Sequence, residues 1–212
     1  MLSSIKGSTQ LSGLRIGLMG GSFNPPHEGH VHVSEVALRR FRLDQIWWLV
    51  SPQNPLKSTA EMASLIERIA QCRALVRNPH IKVRNIEYRL GTTYSIETIR
   101  ALQTRFRRAS FCWIMGADNL LEFHKWNAWS AIMERIPVAV VARPGYHLRA
   151  GLSKTATRFH SDRLDPADAP LLVTRKAPAW TMVLDKLHPL SSTSIRETRS
   201  MAAAGAPEQP QP

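Results

Sequence analysis

The segment Leu14 to Met19 (LRIGLM) is short and largely apolar, and it runs directly into two glycines and a proline-rich loop. That pattern reads as a buried strand feeding a turn. An approximately helical apolar face follows over Gly29 to Arg42, built from Val31, Val33, Val36, Ala37, Leu38 and Phe41. A second strand-like run, Gln45 to Val50 (QIWWLV), is closed by the Ser-Pro and Asn-Pro breakers of SPQNP. The residues between the two strands suffice only for a crossover helix, so the strands run parallel. This one feature commits the chain to an α/β architecture.

The alternation continues with a helix at about Glu61 to Val76, a strand at His80 to Ile86, a helix at Ser95 to Arg107 and a strand at Phe111 to Met115. One or two helices suit Asn119 to Arg135, and strands follow at Pro137 to Val141 and Thr181 to Leu184. The expected fold is one α/β domain over residues 14–201, a doubly wound parallel sheet flanked by helices. Its ligands belong at the carboxyl ends of the strands, near a topological switch point. Residues 145–178 are rich in Gly, Pro, Asp and Arg and are expected to be an irregular peripheral segment. Residues 1–13 read as a flexible extension and 202–212 (AAAGAPEQPQP) as a disordered tail.

A formal net charge of +12 favours anionic partners: nucleic acid, acidic lipid or small phosphorylated metabolites. The basic residues are scattered, and Trp47 and Trp48 fall in core-like runs rather than between basic residues, which counts against a stacking platform for nucleic acid. No apolar run approaches the roughly 18 residues of a membrane span, and the first residues lack a signal-peptide pattern, so a cytoplasmic protein is expected. Cys72 and Cys112 sit singly in apolar segments and read as buried thiols.

The chemistry is sought in GGSFNPPHEGH, Gly20 to His30. Gly20 and Gly21 let the backbone approach a ligand and offer N–H donors, Ser22 adds a hydroxyl, and Phe23 continues the loop. His27 and His30 stand at the mouth of the first helix, where exposed amides and the helix dipole favour an anion. Two imidazoles there can donate to phosphate oxygens and stabilise charge building on a transferring phosphorus. The loop matches neither GxGxxG nor GxxxxGK[ST]. As zinc ligands the pair would need a third, and Glu28 and His32 are near only in sequence, so no protein-held metal is expected.

HxGH after a Gly-rich first strand resembles the nucleotidyltransferase superfamily of Rossmann-like proteins. LSSTSIRE (Leu190 to Glu197) is similar to that family's ISSTxIR motif, whose helix N-terminus binds triphosphate. Ser192 and Thr193 can bind phosphate there and Arg196 supplies a fork of donors, although Ser191 to Ser194 also suit plain helix capping. TTYSIETI (Thr92 to Ile99) and WIMGADNLLEFHKW (Trp113 to Trp126) look like the bacterial nicotinate mononucleotide adenylyltransferases, with the resemblance spanning about Arg15 to Arg199. It implies that Gly116 and Asp118 hold the adenosine ribose, Trp126 stacks on the pyridine ring, and Tyr94 with Ser95 lines the nicotinate pocket. Lys57 in NPLK resembles the residue that reaches the phosphates, and Arg143 in ARPG follows a strand and could face the substrate.

The chain departs from the family in Asn24 for a frequent Asp and in Ser95 for a common Thr. The pattern also gives out after Met201, where members continue into a helical segment that bears on oligomer contacts and site closure. The resemblance implies attack by the 5′-phosphate of nicotinate mononucleotide on the α-phosphorus of ATP, giving nicotinate adenine dinucleotide and pyrophosphate. Catalysis would be positioning plus charge stabilisation by His27, His30, Lys57 and Arg196, with Mg²⁺ carried in by ATP. Other acceptors, the amide mononucleotide or pantetheine phosphate, remain open at this level, as does a basic nucleic-acid-binding protein.

Overall fold

A computed structural model describes residues 11–52, 62–142 and 145–185. Six strands, β1 (Arg15–Gly21), β2 (Gln45–Val50), β3 (Ile81–Arg84), β4 (Ser110–Gly116), β5 (Val138–Ala142) and β6 (Trp180–Leu184), form one sheet in the order β3-β2-β1-β4-β5-β6. Every neighbouring pair is parallel. The helices are α1 (Glu28–Arg40), α2 (Leu65–Leu75), α3 (Ile86–Leu90), α4 (Ser95–Arg105), α5 (Ala117–Glu122), α6 (Trp129–Met133), α7 (His147–Gly151) and α8 (Lys154–Arg158). The chain winds outward from β1 to β3, then returns to the centre to add β4 on the other side of β1. That reversal is the switch point, and in open α/β sheets ligands bind beyond the carboxyl ends of the two strands that flank it, here β1 and β4.

Side chains alternate across the sheet and build two cores. Trp47, Trp113, Met115 and Val140 meet Ile99 and Leu102 of α4 and Ile132 of α6 on one face. Trp48, Cys112, Ile114 and Val141 meet Val36 and Ala37 of α1 on the other. Adjacent tryptophans thus serve opposite cores, as the QIWWLV run predicts for a strand covered on both sides. Cys72 and Cys112 are both buried, and burial pushes each thiol up to about 12, far from the reactive range.

Two expectations are corrected. The third strand stops at Arg84, and the single-turn helix α3 takes over at Ile86, ending on Gly91 in the left-handed conformation (φ 64°). Residues 145–178 are no irregular excursion: they carry α7, α8 and 3-10 turns, including one over Pro166–Thr174. Ala150, Ala156 and Phe159 enter one core, Ala169, Leu172 and Val173 the other, and Trp180 Nε1 donates to the Phe159 carbonyl at 2.7 Å. Five-residue helices and a 3-10 winding that contains Pro170 show no 3.6-residue repeat, which hid them in the sequence. Of the expected N-terminal extension, residues 11–13 form a turn whose Gly13 N–H donates to the Arg108 carbonyl. Residues 1–10 and the expected tail lie outside the described residues.

Candidate active site

β1 delivers Gly20 and Gly21 to the switch point, and the loop turns into α1 at His27, its N-cap. Gly20 has a packing reason to be glycine that the sequence did not disclose: a Cβ there would lie 2.6 Å from the Trp113 indole of the adjacent strand. At Gly21 an added Cβ would meet the Phe23 ring at 3.3 Å. Phe23 is buried and left-handed (φ 47°), a conformation that costs a bulky residue about 1–2 kcal/mol and persists only where its surroundings fix it. They do so here, since its ring stacks on Trp48 at 4.8 Å and lies 4.9 Å from the His30 ring.

The two histidines are held by their own backbone. His27 Nδ1 accepts from the Gly29 N–H at 3.1 Å, and His30 Nδ1 accepts from the His27 N–H at 3.2 Å. An imidazole nitrogen that accepts from an amide carries no proton, so in the neutral rings the proton sits on Nε2. The rings lie 3.9 Å apart, centroid to centroid. This reciprocal arrangement is a capping box built from histidines, and it fixes the orientation of both rings at the helix start.

Behind the loop lies a residue that no sequence signal marks. Arg68 of α2 is buried and donates from Nε to the Ala63 carbonyl (2.9 Å), from Nη1 to those of Ser22 (2.5 Å) and Ser51 (2.8 Å), and from Nη2 to that of Pro52 (3.0 Å). Burial lowers its pKa, with Cys72 as a small opposing influence. Asn24 Oδ1 accepts from the Ala63 N–H at 3.3 Å, so the position where the family often has Asp also ties the loop to the start of α2.

At the end of β4, Gly116 is the N-cap of α5 and Asp118 stands exposed in its first turn, with a carboxylate oxygen where a Cβ on Gly116 would have to go. Tyr94 caps α4 and Ser95 opens it, while Glu97 reaches back to accept from the N–H groups of Thr93 (3.1 Å) and Tyr94 (3.3 Å). Trp126 is half-buried and follows a 3-10 turn in extended backbone rather than sitting on a helix. Its ring stands nearly perpendicular to that of Trp113 at 6.1 Å and tilted to that of Phe123 at 5.1 Å, centroid to centroid. Trp113 therefore touches both the cradle at Gly20 and the residue expected to stack on the pyridine ring. Gly20 and Gly21 at the end of β1 and Gly116 at the end of β4 stand at the carboxyl edge of the sheet. Lys57, Arg143, Ser192, Thr193 and Arg196 lie outside the described residues.

Glu87 of α3, whose carbonyl accepts from the Thr92 N–H at 3.1 Å, is buried, and desolvation raises its carboxyl from 4.5 to about 7. Stability from this group is complete below 4.5 and is lost as pH rises through about 7, because the folded state then has to bury the charge. Glu87→Gln is expected to abolish that loss and to be more stable than the parent above pH 7, by up to about 3 kcal/mol. Urea unfolding from pH 4 to pH 8 measures it, and coincident curves for the two proteins would refute it.

A family model described as Cytidylyltransferase-like matches residues 18–198. A protein of Parvibaculum lavamentivorans named "Probable nicotinate-nucleotide adenylyltransferase" is 50% identical over 87% of this chain and 92% of its own. One of Rhizobium meliloti with the same name is 48% identical over 88% of this chain and 100% of its own. The chain belongs to the nicotinate-nucleotide adenylyltransferase family of cytidylyltransferase-like proteins. At the level of fold, this adenylyltransferase chain resembles a Plasmodium falciparum nicotinic acid mononucleotide adenylyltransferase solved in complex with NaAD, with a TM-score of 0.61 at 15% identity, covering 88% of this chain and 83% of that one.

Proposed function

We propose that this chain joins ATP and nicotinate mononucleotide to give nicotinate adenine dinucleotide and pyrophosphate, an adenylyl transfer in NAD biosynthesis. The observation that carries the reading is the histidine capping box at the switch point, which fixes two imidazoles by their Nδ1 atoms beside a loop whose Phe23 is left-handed. The substrate phosphate is anionic at neutral pH and needs no side-chain nucleophile, so catalysis is positioning plus charge stabilisation.

In this reading His27 and His30 bind the phosphates from the first helix, and Lys57 and Arg196 add positive charge. Amides of Gly20, Gly21, Ser22 and Phe23, with Ser192 and Thr193, hold the triphosphate, and Mg²⁺ enters with ATP as part of that substrate. Gly116 and Asp118 take the adenosine ribose. Trp126 stacks on the pyridine ring, its perpendicular contact with Trp113 and tilted contact with Phe123 supporting a fixed orientation, and Tyr94, Ser95 and Arg143 complete the acceptor pocket. Among the described residues no helix is long and apolar enough to cross a membrane, and we assign the enzyme to the cytoplasm.

Pyrophosphate release with ATP and either the acid or the amide mononucleotide tests the assignment. The acid is expected to give a kcat/KM at least roughly tenfold higher. Preference for the amide would overturn the acceptor, and turnover with neither would overturn the reaction.

A further inference from the structure

Arg68 is 1% exposed, yet its four hydrogen-bond partners are all backbone carbonyls and none of the ion pairs among the described residues includes it. A buried cation must keep its hydrogen bonds, so the groups that satisfy it are held firmly. These come from three separate stretches: the loop after β1, the loop after β2, and the residue before α2's N-cap. The Ser22 carbonyl is the one that bears on the phosphate site. In the Ser22–Phe23 peptide unit, as in any planar trans peptide, the C=O and the N–H point opposite ways. With the carbonyl turned toward Arg68, the Phe23 N–H is turned away from it, and among the described residues it has no acceptor. The left-handed backbone at Phe23 is the conformation by which loops gather N–H groups on one side to form an anion-binding concavity.

We propose that Arg68 is a positioning residue for triphosphate binding: by holding the Ser22 carbonyl it presents the Phe23 N–H to a phosphate of ATP, and its charge, paired with no carboxylate among the described residues, adds a positive field behind the loop. The inference rests on the phosphate-site reading of Gly20 to Phe23. Phe23 also lies against His30, so one clamp sets both the loop amide and the neighbouring imidazole.

The test uses the full-length protein, isotopically labelled, titrated with inorganic pyrophosphate, together with steady-state kinetics of Arg68→Lys and Arg68→Met. In the parent the Phe23 amide resonance is expected to shift along the binding curve. Lysine keeps the charge but cannot span four carbonyls, so Arg68→Lys is expected to raise the KM for ATP roughly tenfold or more while changing the KM for the mononucleotide less than about threefold, and Arg68→Met to lose more. If the methionine variant does not fold, the parent titration and the lysine variant still decide. Shifts at Gly21 and Ser22 without one at Phe23, or a folded lysine variant with an unchanged KM for ATP, would overturn this role while leaving the phosphate site in place. Shifts at none of Gly20 to Phe23 would overturn the phosphate-site reading and this inference with it.

Discussion

Replacing His30 with alanine is expected to lower kcat by roughly 100- to 1000-fold while changing the KM for ATP far less. Removal of one pre-oriented donor to a developing charge costs about 3–4 kcal/mol of transition-state stabilisation, because the donor is aimed before the charge appears. His30 is so aimed: its Nδ1 is occupied by the His27 N–H, and its ring is braced by Phe23, His27 and Trp48. Alanine also removes half of the capping box, which costs about 1 kcal/mol of stability. His30→Asn separates the two effects, since its side-chain oxygen can accept from the His27 N–H without offering an imidazole donor. Melting should then recover while turnover stays low. An alanine variant that binds ATP and keeps full turnover would remove His30 from the mechanism.

Trp113→Ala is expected to lower stability by about 3–5 kcal/mol, the usual cost of emptying a fully buried aromatic site. For a domain of this size that corresponds to a fall in Tm of roughly 6–20 °C. The indole lies over Gly20 and against the Trp126 ring, so its loss leaves a cavity between Gly20 and the expected pyridine-stacking residue. A raised KM for the mononucleotide should accompany the lower Tm, and Trp113→Phe should recover part of both. Calorimetry and steady-state kinetics on the same preparation measure the pair of effects. A Tm within a couple of degrees of the parent would show that Trp113 is not the packing bridge described.

What could be read from sequence was local and periodic. Gln45 to Val50 forms its strand with the expected boundaries, because an apolar run between breakers has few alternatives. His27 and His30 were legible because one short loop contains them both and the helix they cap. Arg68 was not: in SLIERIAQCRAL it looks like any solvated helix arginine, and only the carbonyls of Ser22, Ser51, Pro52 and Ala63 make it a buried one. Glu87 was equally silent, since its burial depends on a single-turn helix too short to leave a period.

The parallel α/β architecture and the placement of Gly20 to His30 between the first strand and the mouth of the first helix were thus determined by sequence alone, because strand length, breakers and a helix mouth are properties of neighbouring residues. Tertiary structure decided that β4 returns beside β1, that Gly20 makes room for an indole, and that 145–178 joins both cores. Each of these depends on which distant segments share a surface. Strand pairing, ring packing and the satisfaction of a buried guanidinium are set by backbone positions in space, which no local pattern encodes.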